Sequence, residues 1–201
     1  MIYICHRINR SDDLIDIPYR YGVELDLRDN IDGSIYIEHN PFVPGEDFEE
    51  YLSKYHHRLL ILNIKSERIE GKVLDLIKKY DVKQFFFLDS SFPMIYTLSA
   101  QGITDIALRF SEYEGIDTLV AMSGKVKWVW VDCFSKMPLN VDCFNRIKEM
   151  GYKICVVSPE LQAQPEKLEE YAEFMKSSGI MPDAICTKRY NIEKWKLYFS
   201  E

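Results

Sequence analysis

No apolar run in this chain approaches the ~20 residues of a membrane span. The apolar start, Ile2 to Cys5, is too short for the core of a signal peptide. No basic block occurs and the net charge is −7, which argues against nucleic acid or an anionic membrane surface as the main partner. The five cysteines (Cys5, Cys133, Cys143, Cys155, Cys186) are odd in number, scattered and mostly set in apolar runs. They suit buried thiols in a reducing cytoplasm, and exclude a disulfide framework or a cysteine zinc site. No GxGxxG or Walker-type stretch follows any apolar run, so a nucleotide-binding doubly wound sheet has no sequence support. Linkers and low-complexity tracts are absent too. With 47% hydrophobic and 28% charged residues over 201 positions, one large domain with a sizeable core is expected.

What is present is an alternation. Eight short apolar runs (Ile2 to Cys5, Val23 to Leu27, Leu59 to Ile64, Phe85 to Leu88, Ile106 to Phe110, Trp128 to Asp132, Ile154 to Val157, Ala184 to Thr187) are separated by polar turns and amphipathic stretches. The helical candidates are Glu46 to Tyr55, Glu67 to Tyr80, Phe92 to Gln101, Glu112 to Met122, Val141 to Met150, Pro165 to Ser178 and Ile192 to Phe199. Asp32-Gly33 lies between short flanks and predicts a hairpin from Asn30 to Glu38. Strands alternating with helices predict a parallel sheet, and eight is the strand number of a (β/α)8 TIM barrel. The expectation is therefore a small, single-domain α/β barrel with short helices over residues 1–201, without a cap domain. An open doubly wound sheet is the rival.

In such a barrel, chemistry sits at the C-terminal ends of the strands. Val23, Leu25 and Leu27 alternate with Glu24, Asp26 and Arg28, so Glu24 and Asp26 share a face about 7 Å apart. Two neighbouring carboxylates are costly to bury without a cation, and a hard ion such as Mg2+ or Ca2+ prefers carboxylate oxygen. An outward polar face is the plainer reading of the same alternation. His6, Arg7, His39, Asn63 and Lys65 also fall at strand or hairpin ends in the first third of the chain. Two imidazoles, which titrate near neutrality, can act as base and acid across a phosphorus–oxygen bond. A metal and the cations Arg7 and Lys65 can offset phosphoryl charge.

His6-Arg7, Gly22-Val23-Glu24-Leu25-Asp26, Asp32-Gly33, His39 and Asn63-Ile64-Lys65 together resemble the glycerophosphodiester phosphodiesterase family, within the phosphatidylinositol-phospholipase-C-like phosphodiesterases. The resemblance covers residues 5 to 65, and Asp183 to Thr187 is similar to the family's last strand. It implies a (β/α)8 barrel, His6 and His39 as the acid/base pair, Glu24, Asp26 and Asn63 around a divalent metal, and Arg7 and Lys65 on the phosphate. It also implies a phosphodiester substrate with a small polar head group, and a neighbouring substrate hydroxyl as nucleophile. Three positions depart from the family signature: Ile8 stands for a glycine, Asn40 for an aspartate after the second histidine, and Asn63 for a third acidic ligand. A barrel that binds a ligand or partner without cleaving it is the alternative these departures keep open.

Smaller features have plainer readings. His56-His57 is expected at a solvated helix end. Trp128, Trp130 and Phe85 to Phe87 are expected in the core, and Asp132 either at the mouth or as a surface cap.

Overall fold

The computed structural model describes residues 1–199. The chain opens with a strand, β1 (Ile2–Cys5), and falls into two compact units: Cys5–Gln101, and Met1–Ile4 with 102–201.

The unit from Cys5 to Gln101 is built on β2 (Gly22–Asp29). It continues through the hairpin strand β3 (Ile35–Ile37), the short β4 (Glu46–Asp47), helix α1 (Phe48–Lys54), β5 (Leu59–Ile64), α2 (Glu70–Lys79), β6 (Phe85–Leu88) and α3 (Phe92–Ala100). β2 pairs in parallel with β5 from Gly22↔Leu59 to Leu27↔Ile64, and β5 pairs in parallel with β6. On its other edge β2 pairs antiparallel with β3, and β3 with β4. The run Leu59–Ile64 is buried throughout, as a parallel strand covered on both faces must be. Asp47 caps α1 by accepting a hydrogen bond from the Glu50 N–H at 2.9 Å. Gly45 turns the chain into β4 so closely that a β-carbon there would lie 2.2 Å from the Ile37 carbonyl oxygen, a contact only glycine permits.

The other unit holds β7 (Ala107–Phe110), α4 (Asp117–Met122), β8 (Trp128–Val131), α5 (Val141–Glu149), β9 (Lys153–Val157), α6 (Leu168–Ser177), β10 (Ala184–Thr187) and α7 (Ile192–Lys196). Its four strands pair in parallel in the order β7-β8-β9-β10. Asn140 caps α5 through Cys143 N–H at 2.8 Å, and Gly151, at φ 85°, stops that helix as its position predicts. Thus every apolar run becomes a strand within one or two residues of the expected ends.

Asn9 to Tyr21, a short segment in which Pro18 leaves room for a turn or two of helix, forms one 3₁₀ helix, Ser11–Asp16, in keeping with that expectation. The differences are local. Glu46 and Asp47 pair with β3 instead of starting α1. Pro165–Lys167 winds as 3₁₀ before α6. Helix α4 begins only at Asp117, because Glu112 holds the turn instead, accepting from Ser135 Oγ at 2.7 Å. The histidine pair is corrected by half. His56 is exposed, but His57 is buried, with Nε2 2.9 Å from the Ile17 carbonyl and its ring against Tyr19 and Tyr55. Burial lowers its pKa. Four cysteines are buried, and Cys143 is half-buried. No helix among the described residues is long and apolar enough to cross a membrane.

Candidate functional site

The alternation in β2 puts Glu24 and Asp26 on one face, and that face is inward: each is only 1% exposed. Glu24 is held from two sides. Arg7 N–H donates to Oε2 at 2.7 Å and Asn63 Nδ2 to Oε1 at 2.9 Å. The Asn63 contact follows from register, since Asp26 and Asn63 are partners across β2 and β5. His6 Nε2 stands 3.8 Å from Glu24 Oε2. Arg7 reaches its N–H into this position by adopting a left-handed backbone, φ 56°, which a bulky residue takes only at a cost.

Asp26 is met by cations. Arg7 Nε lies 3.5 Å from Oδ2, and Lys65 Nζ lies 3.7 Å from Oδ1 and 3.3 Å from Asp89 Oδ2. Burial, then the neighbouring Asp26 charge, pushes the Glu24 carboxyl up to about 7, against the pull of Asn63, Arg7 N–H and Lys65. Two buried acceptors, Asp26 Oδ1 and Asn63 Oδ1, receive no hydrogen bond. A buried acceptor left bare is expensive, and hard oxygen atoms so placed suit a hard cation. The donor set is two carboxylates and an amide. Among the described residues no three His, Cys, Asp or Glu side chains gather at metal-ligand spacing.

Six of the seven expected residues thus share one contact network: His6, Arg7, Glu24, Asp26, Asn63 and Lys65. His39 is half-buried at the end of the hairpin, and its Nδ1 is 3.0 Å from Asn40 Oδ1. Its backbone is tied to the network through a residue absent from the expectation, Arg28. That guanidinium donates to the carbonyls of Glu38 (3.2 Å), His39 (2.7 Å) and Lys65 (3.2 Å). The sequence did carry a signal: Arg28 continues the row Glu24, Asp26, Arg28. Asn9 was missed as well. Its amide donates to Asp26 Oδ2 at 2.9 Å and accepts from Asp26 N–H at 3.1 Å. Only its place three residues after His6 hinted at this. Asp89, another left-handed residue (φ 61°), completes the set from the end of β6.

Arg28→Ala frees three carbonyls at the strand ends to water. Its expected cost is about 1–2 kcal/mol in urea denaturation, because solvent replaces part of each lost bond. A loss below the error of that measurement would remove Arg28 as the link between His39 and Lys65.

The other unit carries a buried acid of its own, Asp132, which is neither at the surface nor bare. It accepts from Arg109, from Trp130 Nε1 at 3.2 Å and from Gln162 Nε2 at 2.6 Å. Burial pushes its pKa up to about 6 against the pull of Arg109. With both oxygens engaged, it ties β7 and β8 to the loop after β9.

No family model and no curated protein matches the chain. Solved structures do. A glycerophosphodiester phosphodiesterase from Thermotoga maritima matches with TM-score 0.67 at 17% identity, covering 96% of this chain and 97% of that one. One from Parabacteroides distasonis matches with TM-score 0.69 at 12% identity, over 100% of this chain and 88% of that one. The chain shares their fold. It is the (β/α)8 barrel, as the eight apolar runs predict. A third glycerophosphodiester phosphodiesterase, from Agrobacterium tumefaciens, matches with TM-score 0.62 at 13% identity over 92% of this chain. Identities this low speak for the architecture, so the chemistry has to be argued from the side chains.

Proposed function

We propose that this chain, as one barrel domain over residues 1–201, is a metal-dependent phosphodiesterase acting in the cytoplasm on a small glycerophosphodiester-like substrate. One observation carries the reading. A fully buried carboxylate pair, in which Asp26 Oδ1 and the adjoining Asn63 Oδ1 accept no hydrogen bond, is ringed by an imidazole, a guanidinium and an ammonium. The fold shared with phosphodiesterases supports it.

Glu24, Asp26 and Asn63 would hold Mg2+ or Ca2+. When bound, the ion supplies positive charge that offsets the phosphoryl oxygens and polarises phosphorus. Arg7 and Lys65, already drawn to the carboxylates, bind the remaining phosphate oxygens. His6 and His39 divide the proton work. One takes the proton of the attacking hydroxyl, whether from the substrate or from water; the ester P–O bond breaks; the other gives its proton to the departing oxygen. No covalent enzyme intermediate is needed.

A second reading is a barrel that binds such a ligand without turning it over. Asn63 in place of a third acid, and Asn9 already bonded to Asp26, favour it, since two carboxylates hold a cation less tightly than three. Product release from glycerophosphocholine, followed by phosphorus NMR with and without chelator, separates them. Release that needs Mg2+ or Ca2+ is expected. No release, together with no heat of Ca2+ or Mg2+ binding in calorimetry, would overturn the enzyme reading.

A further inference from the structure

Asp26 divides its two oxygens. Oδ2 takes the Asn9 amide at 2.9 Å and the Arg7 Nε at 3.5 Å, while Oδ1 accepts no hydrogen bond. The Lys65 ammonium stands 3.7 Å from Oδ1, beyond hydrogen-bond reach. It donates instead to Asp89 Oδ2, at 3.3 Å.

Asp89 reaches that position from the next strand. β5 and β6 pair with Asn63 opposite Leu88, so both side chains share the inward face. Continued alternation would turn residue 89 away from it. The strand ends at Leu88 instead, Asp89 takes its left-handed backbone, and its carboxylate meets Lys65. The two side chains are 20% and 21% exposed, so water screens the pair only in part.

The charges make this arrangement consequential. A divalent cation on Asp26 Oδ1 has the ammonium as a like-charged neighbour. Without Asp89, Lys65 would fall back on Asp26, the same carboxylate the cation needs. With Glu24, Asp26 and Asp89 ionised, three carboxylates face the side-chain cations Arg7 and Lys65. A divalent ion and a phosphodiester monoanion then bring these groups to neutrality. Without Asp89 one positive charge is left over.

We propose that Asp89 is a positioning residue: it holds the Lys65 ammonium off Asp26 Oδ1, leaves that oxygen to a divalent cation, and restores from β6 the negative charge that Asn63 lacks on β5. The role rests on the metal site proposed above, and gives that site a member which acts through Lys65 and not on the ion.

Calorimetric titration of the full chain with Mg2+ and with Ca2+ tests this without any substrate. It is run at pH 8, where the Glu24 carboxyl, pushed up to about 7, is ionised. Asparagine tolerates a left-handed backbone as aspartate does, so D89N removes the charge and keeps the turn. D89N is expected to weaken both ions about tenfold, the effect of one nearby charge in a partly screened site. K65M is expected to tighten them by a similar factor. In the K65M background D89N is expected to cost no more than about twofold, because no ammonium remains to be held. A D89N affinity within about twofold of the unaltered protein overturns the role, and a lower Tm with that affinity marks Asp89 as structural. An undiminished cost of D89N in the K65M background also overturns it, since Asp89 then acts on the ion itself. If the unaltered protein binds neither ion, the metal site itself fails and the role of Asp89 fails with it.

Discussion

His6→Ala is expected to lower kcat on a glycerophosphodiester by about a hundred- to ten-thousand-fold, the range that a positioned acid or base contributes. The side chain is 17% exposed, so it is reachable from solvent, and its Nε2 lies 3.8 Å from the Glu24 carboxylate. A carboxyl group at that distance can orient the ring, as is needed if the residue exchanges a proton with a bound ester. A purely structural histidine would behave otherwise. Its loss would lower Tm, while rates per folded molecule would hold. The decisive measurement is therefore kcat alongside a melting curve, with free imidazole added to the variant. Partial recovery by imidazole is expected of a missing proton carrier and not of a missing packing group. His39→Ala should show the same recovery. A His6→Ala protein with unaltered kcat would end the two-histidine mechanism.

The strand pattern was legible because every parallel strand here is buried on both faces, so each reads as a short apolar run such as Leu59 to Ile64. Helix starts were less legible. Glu46-Asp47 looks like a helical first turn and pairs as a strand instead, since hydrogen bonds to Tyr36 and Ile37 outweigh local propensity. His57 misled for a related reason. It follows a helix, yet Tyr19 and the Ile17 carbonyl come from elsewhere in the chain and join the neighbouring Tyr55 to bury it.

For the site, strand periodicity was enough to put Glu24 and Asp26 on one face. Asn63 joins them because parallel register sets it opposite Asp26. What no spacing could reveal is backbone traffic: Arg7 serves Glu24 through its N–H, and Arg28 serves His39 and Lys65 through their carbonyls. Such contacts use any residue's main chain, so they leave little mark on composition. Ile31, Phe42 and Val43 read in sequence only as ordinary loop residues; their exposure is a fact of the folded chain.

Glu24→Gln is expected to change how stability depends on both pH and cation. In the folded protein the carboxyl is pushed from 4.5 up to about 7, chiefly by burial. The folded state therefore keeps a proton that the unfolded chain releases. Below about pH 4.5 both states are protonated and no penalty exists; between 4.5 and 7 the penalty grows; above 7 it is complete. At 1.4 kcal/mol per unit the penalty is on the order of 3 kcal/mol, or roughly 6–12 °C in Tm for a domain of this size. In chelator, Tm should then fall as pH rises from 5 to 8 in the unaltered protein, after allowance for the other acids. The glutamine variant, which carries no charge to desolvate, should fall less and melt higher at pH 8. Cations reverse the order. Their ligand is the ionised carboxylate, so the Tm gain from Mg2+ or Ca2+ should grow with pH in the unaltered protein and largely vanish in the variant. Parallel pH profiles of the two proteins in chelator would show that Glu24 carries no strained charge. An undiminished Ca2+ and Mg2+ gain in the variant would show that any bound ion sits elsewhere.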